Sequence, residues 1–291
     1  MLRTFLWSTL FAVSAWAQPQ VLTASASCPS VPQVAVCNTA DRTRIEQLLA
    51  DARLQTPLDF ARKFKGKPYV AHTLESNERE QLVVNTSGLD CATLVETASA
   101  LAMTRAQGKR TFADFADNLR KLRYFDGRID GYTSRLHYLS FWIAEQTKQQ
   151  RIQEVQLPQR LTAPLHIRLN YMSTHPDSYE HLVGHPDRVA RIAQLERQHS
   201  GAAGRYLPKQ QTNRSRTDLG AIRDGDILLI VTSKAGLDYS HQGIAYWGKD
   251  GRLRMLHASS ERGRVIEDER TLYQYLAGIK HARGIRVFRL R

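Results

Sequence analysis

The sequence predicts an α+β fold, with a helix-rich stretch over residues 46–156 and a strand-rich stretch over residues 157–291. Three observations carry this. In the first stretch apolar residues recur at helical spacing, as in Leu94, Val95, Ala98, Leu101 and Ala102. In the second they alternate, as from Leu165 to Tyr171, or run unbroken, as from Asp226 to Val231. Between Gly243–Trp247 and Arg252–His257 the run Lys249-Asp250-Gly251 has the chemistry of a hairpin turn.

In chain order, Asp41 to Ala52 has helical spacing, and Pro57 to Lys65 predicts a second short helix. Lys65-Gly66-Lys67-Pro68-Tyr69 is a turn signal. A helix follows from Ala92 to Gln107, with Cys91 at its head and Gly108 ending it. Phe112 to Leu122 and Leu136 to Gln146 give two more helices. Among the strands, helical patches fall at Asp187–His199 and Thr271–Gly278, and Val287 to Leu290 is expected to close the sheet. The polar stretch from Lys209 to Thr217 is expected to be a loop.

The first residues have a different character. Arg3, the apolar run Thr4 to Val13 and the exit Ala15-Trp16-Ala17 have the layout of a secretory signal peptide over residues 1–17. The run is too short to span a bilayer, and no later segment approaches about 18 unbroken apolar residues. The expectation is a secreted or periplasmic protein without an integral membrane segment once the leader is removed. Residues 18–45 form an N-terminal arm in which Cys28 and Cys37, nine apart, are expected to pair in an oxidising compartment.

The apolar fraction of 42% and charged fraction of 24% are ordinary for a globular chain, but the net charge of +13 is not. Such a surface favours polyanions. Export argues against nucleic acid and leaves acidic cell-wall peptides as a fitting partner, beside the plainer reading of a scattered basic surface that aids solubility. A monomer is expected. His181 and His185 are four apart, but Gly184 and Pro186 break any helix and no third ligand is evident, so neither a metal site nor any cofactor is expected.

Cys91, left over from the pair in the arm, stands where helix N–H groups and the helix dipole favour a thiolate. A buried structural cysteine is the competing reading from position alone. His241 opens one strand and His257 lies on the next, within the cross-strand reach of about 5 Å. His241 then serves as base to Cys91, and His257 holds its tautomer.

These residues resemble the NlpC/p60 superfamily of papain-like cell-wall hydrolases. The resemblance rests on Gly66-Lys67-Pro68-Tyr69, Asp90-Cys91, His241-Gln242-Gly243-Ile244 and Leu256-His257-Ala258. Longer runs are similar to one branch, the N-acetylmuramoyl-L-alanine amidases acting on anhydromuramyl peptides. They are Ser87 to Glu96, Arg135-Leu136-His137-Tyr138, Tyr171 to Pro176 and Gly236 to His241. The similarity extends from about Asp51 to Arg291.

The resemblance implies a papain-like fold, a helical lobe carrying the nucleophile packed on an antiparallel sheet. It implies hydrolysis of the amide between N-acetylmuramic acid, in its 1,6-anhydro form, and L-alanine, with peptidoglycan or muramyl-peptide fragments as partners. Cys91, His241 and His257 would carry the chemistry, and Tyr69 would help stabilise the oxyanion. Asp90, Arg135, Tyr138 and Ser173 would bind substrate, Arg135 as a bidentate partner of carboxylates, with His137 and His175 as further groove candidates. Many relatives carry Ser-Gly after the cysteine where this chain has Ala92-Thr93. In relatives that cut L-Ala-D-Glu bonds the aspartate before the cysteine helps hold a free peptide amine, so in an amidase Asp90 is open to a second reading as a helix cap. The rivals are an L-Ala-D-Glu or γ-D-glutamyl peptidase on the same scaffold, and an inactive cell-wall binding module.

Overall fold

The computed structural model describes residues 35–201 and 203–291. The leader over residues 1–17 and Cys28 lie outside the described residues, and the expected Cys28–Cys37 pair lies outside them with Cys28. No described helix is long and apolar enough to cross a membrane.

The helices are α1 (Thr39–Ala50), α2 (Pro57–Arg62), α3 (Cys91–Ala106), α4 (Phe112–Arg123), α5 (Leu139–Lys148), α6 (Tyr171–Thr174), α7 (Pro186–His199) and α8 (Leu272–Ala277). Their starts are written locally. Thr56 with Asp59, Asp90 with Thr93, Thr111 with Asp114 and Thr271 with Gln274 each close a reciprocal capping box that satisfies two otherwise orphaned N–H groups. In α3 the box accounts for Thr93, part of the departure after the cysteine: its hydroxyl lies 2.8 Å from the Asp90 carboxylate and accepts from the Asp90 N–H at 2.9 Å.

The strands are β1 (Ala35–Val36), β2 (Leu82–Val83), β3 (Ile152–Glu154), β4 (Ala163–His166), β5 (Ala203–Pro208), β6 (Ile227–Thr232), β7 (Tyr239–Trp247), β8 (Leu253–Ser259), β9 (Arg264–Glu267) and β10 (Ala282–Leu290). β1 and β2 form a small parallel pair, and the others form one antiparallel sheet ordered β4-β5-β10-β6-β7-β8-β9, with β3 joined to the end of β10. The architecture is therefore mixed α+β with an antiparallel sheet. Two expectations change. Tyr171 opens a helical turn instead of ending a strand. The last strand does not close the sheet but runs through its middle, between β5 and β6. Gly284 allows this passage: a Cβ there would fall 2.0 Å from the Leu207 carbonyl oxygen.

The unbroken apolar run in β6 has a direct cause. Ile227, Leu229 and Val231 join a large core shared with α1 to α5, whereas Leu228 and Ile230 join a second core beneath α8, built with Met255, Leu272 and Leu276. A strand covered on both faces has no polar side to alternate with. The same layering seats α3 against β7 and β8, with Cys91 at its N-terminal end.

Candidate active site

Cys91 and His241 line one cleft of about 250 Å³, with Glu96, His137, Tyr138 and Trp142 among its walls. α3 brings the cysteine. β7 brings the histidine, and a β-bulge shapes the approach: Ile230 pairs with His241 and Val231 with Tyr239, leaving Ser240 unopposed. Bulges bend a strand and re-aim its side chains, and this one falls immediately before His241. Gln242, the next residue, directs its backbone N–H at the Cys91 sulfur.

His241 and His257 are coupled. His241 Nε2 and His257 Nδ1 are 2.7 Å apart, with the rings nearly perpendicular. The pair is diagonal and not directly opposite, because the ladder pairs Ile244 with Leu256 and so sets His257 across from Gly243. Gly243 has no room for a side chain: a Cβ would meet Met255 Cγ at 2.5 Å and the Leu256 carbonyl oxygen at 2.8 Å.

Burial controls both titrations. It pushes the Cys91 thiol up to about 12, with the Asp90 charge acting in the same direction, against the N–H groups of Gln242, Cys91 and Ala92. Burial, aided by His257, depresses His241 to about 3. The resting cleft therefore holds a neutral thiol and a neutral imidazole, and the thiolate that the helix head predicts is outweighed by desolvation. Tyr69 bridges to Leu89, two residues before Cys91, and does not line the cleft; burial and the charges of Cys91 and Asp90 raise its phenol.

Three sequence-derived candidates have other tasks. Arg135 is buried and indeed bidentate, but its carboxylate partner is Glu80, at 3.0 and 2.6 Å, with Glu75 on its third nitrogen. That ion pair occupies the guanidinium, and Arg135 does not line the cleft. Ser173 likewise lies off the cleft lining, its N–H on Glu196. Asp90 caps α3. Tyr138 does line the cleft, though its hydroxyl is committed to Glu196 at 2.7 Å and to the Met172 N–H at 2.9 Å. His175 stacks on Tyr171, and His181 approaches Glu75 at 3.5 Å.

Sequence reasoning missed Asp268 and Tyr275. The chain leaves β9 at Glu267, and the next residue, Asp268, sets Oδ2 3.4 Å from His257 Nε2. Burial alone would raise the Asp268 carboxyl, but His257 and Arg270 outweigh it and hold the group well below the usual carboxylate range. Tyr275 of α8 packs its ring 5.1 Å from His257 and 6.2 Å from His241. The available signal was topological: β9 pairs with β8, His257 opposite Ile266, so the residues just after Ile266 return to the histidine.

Zinc hydrolysis needs three protein donors with one position left open. Among the described residues no three His, Cys, Asp or Glu side chains converge to hold a metal ion.

The histidines also predict acid lability. His137, lining the cleft, is depressed to about 3 by burial and by Arg135, like His241. Unfolded imidazoles take up a proton below about 6.5, whereas these two stay neutral in the fold until about 3. Their contribution is present above the unfolded pKa and lost as pH falls from about 6.5 towards 3, at up to about 1.4 kcal/mol per pH unit for each histidine. Chemical denaturation at pH 7.5 and pH 5 is expected to show lower stability at pH 5, where most carboxylates are still ionised. Equal stability at the two values would contradict the buried neutral state.

The fold is thus α+β with an antiparallel sheet, and one of its clefts is lined by Cys91 and His241. The chain matches the AmiA-like family, described as N-acetylmuramoyl-L-alanine amidase-like, over residues 59–285, and it belongs to that family. It is similar to an N-acetylmuramoyl-L-alanine amidase from Bacteroides uniformis, with 40% identity over 81% of this chain and 99% of that one and a TM-score of 0.76. A Bacteroides fragilis protein named as a candidate xylanase is 42% identical over 80% of this chain and 100% of that one, with a TM-score of 0.75. A Legionella pneumophila protein shares the fold at 20% identity, covering 86% of this chain and 94% of that one, with a TM-score of 0.65. Curated proteins offer no match.

Proposed function

We propose that this chain is a cysteine amidase of the papain-like, NlpC/p60 type, cutting the amide between N-acetylmuramic acid, in its 1,6-anhydro form, and L-alanine of peptidoglycan fragments. It would act outside the cytoplasm after loss of residues 1–17. The observation that carries the reading is one cleft holding the Cys91 thiol and the His241 imidazole, the latter bonded to His257, in a chain of an amidase-like family.

In this reading His241 takes the thiol proton as sulfur adds to the carbonyl carbon. A neutral thiol and a neutral imidazole suit such concerted transfer. The oxyanion meets the N–H groups at the head of α3 and the Tyr69 hydroxyl. His241 then returns the proton to the alanine nitrogen, the C–N bond breaks, and a thioester remains. Water adds to it, losing a proton to His241. The C–S bond breaks, the thiol regains its proton, and the muramyl acid leaves. The positive surface suits the carboxylates of the stem peptide.

A glycosidase reading finds less support. It needs two carboxyl groups flanking the bond, whereas Glu96 is paired with Arg123 at 2.7 Å and Asp238 accepts from the N–H groups of Ser140 and Tyr239 at 2.7 Å each. The deciding experiment is mass spectrometry after incubation with anhydromuramyl tripeptide and with free tripeptide. Release of intact stem peptide from the first, and no reaction of the second, is expected. Free L-alanine would identify an L-Ala-D-Glu peptidase instead and defeat the amidase reading.

A further inference from the structure

We propose that Asp268 is a positioning residue that sets the tautomers of both cleft histidines, and thereby decides which nitrogen of His241 is left to receive the thiol proton. The proposal rests on the cysteine reading above and adds to it a fourth group beyond the cysteine and the two imidazoles.

The argument is one of donors and acceptors. His257 Nε2 is buried and has no well-aligned hydrogen-bond partner among the described residues, while Asp268 Oδ2 stands 3.4 Å away. Asp268 is itself buried and accepts from Arg270 through the backbone N–H at 2.9 Å, Nε at 3.0 Å and Nη2 at 2.8 Å. A carboxylate so held can only accept. With one ring proton on His257, that proton sits on Nε2, facing Asp268, and Nδ1 is bare. That bare Nδ1 is the atom 2.7 Å from His241 Nε2, so His241 donates there from Nε2 and its own Nδ1 is left as a free acceptor. One carboxylate orders two rings in series. The outer Glu261, at 3.0 Å from Arg270 Nη2, steadies the arginine.

The geometry also says what an amide would do. In Asp268→Asn the side-chain oxygen is best placed at the Oδ1 position, where the fixed backbone N–H of Arg270 and its Nε meet it at 2.9 and 3.0 Å. The NH₂ at the Oδ2 position displaces the mobile Nη2 that stood 2.8 Å from Oδ2. The reverse orientation would set the amide NH₂ against both the backbone N–H and Nε. The NH₂ then faces His257 Nε2 and forces it to become an acceptor. The proton moves to His257 Nδ1, which now donates to His241 Nε2, and His241 carries its proton on Nδ1. An imidazole so arranged has no lone pair free for the thiol.

The test is long-range ¹H–¹⁵N correlation NMR on ¹⁵N-histidine-labelled protein at pH 7.5, with signals assigned from His257→Gln and His137→Gln. In the unmodified protein both His241 and His257 are expected to carry hydrogen on Nε2 alone. In Asp268→Asn both are expected to shift to Nδ1–H, with kcat reduced about 10³- to 10⁴-fold, the scale of losing an orienting carboxylate, and KM little changed. The wild-type spectrum decides even if the variant does not fold. A Nδ1–H form of His257 in the unmodified protein overturns the proposal, and so does a folded Asp268→Asn with unaltered tautomers. A full tautomer shift with undiminished kcat would count against the cysteine reading and leave the role of Asp268 in ordering the rings standing.

Discussion

Cys91→Ala is expected to abolish amide hydrolysis, by at least about 10⁴-fold, while leaving the protein folded and about as stable as before. The magnitude follows from the loss of the group that forms the covalent intermediate, since members of a nucleophile–base unit lose nearly all their effect together. The small stability change follows from the site. Cys91 is partly open to the cleft and is the first residue of α3, whose start is held by Asp90 and Thr93 and not by the thiol. His241→Ala is expected to be nearly as severe, and the double variant no worse than Cys91→Ala alone.

Alkylation offers a test on the unmodified protein. Iodoacetamide should inactivate it in step with carboxamidomethylation of Cys91, read by peptide mass spectrometry. The rate should be slow near neutral pH, because burial holds the thiol protonated. EDTA should have no effect. Turnover that survives Cys91→Ala, or that chelation removes and zinc restores, would sink the mechanism proposed here.

Much of the scaffold was legible in the sequence because its causes are local. The heads of α2, α3, α4 and α8 are set by a capping residue and its partner three positions on. The strand β6 was visible because five consecutive apolar residues serve two cores. What escaped depends on distant segments. The central place of β10 follows from Gly284 clearing the Leu207 carbonyl, a contact across 77 residues that no window of sequence contains. The bulge at Ser240 is a mismatch between two strands and has no signature in either one.

The candidate site divides along the same line. Cys91, His241 and His257 stood out because of where they fall in their own elements. Asp268 did not, because an aspartate just past a strand is an ordinary residue until the sheet folds it onto His257. The protonation state of Cys91 was misjudged for a related reason. The helix head is a local property and favours thiolate, whereas burial is set by everything packed around it and prevails.

Arg135 shows the same contrast in a form that can be measured. As a substrate ligand its removal would raise KM and leave stability alone. The structure predicts the opposite. The side chain is only 8% exposed and Glu80 only 3%, so Arg135→Met leaves a buried carboxylate without its cation. Breaking a buried pair from one side costs about 3–5 kcal/mol, or roughly 10 °C in the thermal midpoint of a chain this size. KM of the folded fraction should be unchanged, since the guanidinium is spent on Glu80 and Glu75. Adding Glu80→Gln should recover part of the loss, because the unpaired charge is then gone while Tyr124 keeps an acceptor for its hydroxyl. A stability unchanged within about 0.5 kcal/mol, together with a tenfold rise in KM, would return Arg135 to the substrate groove.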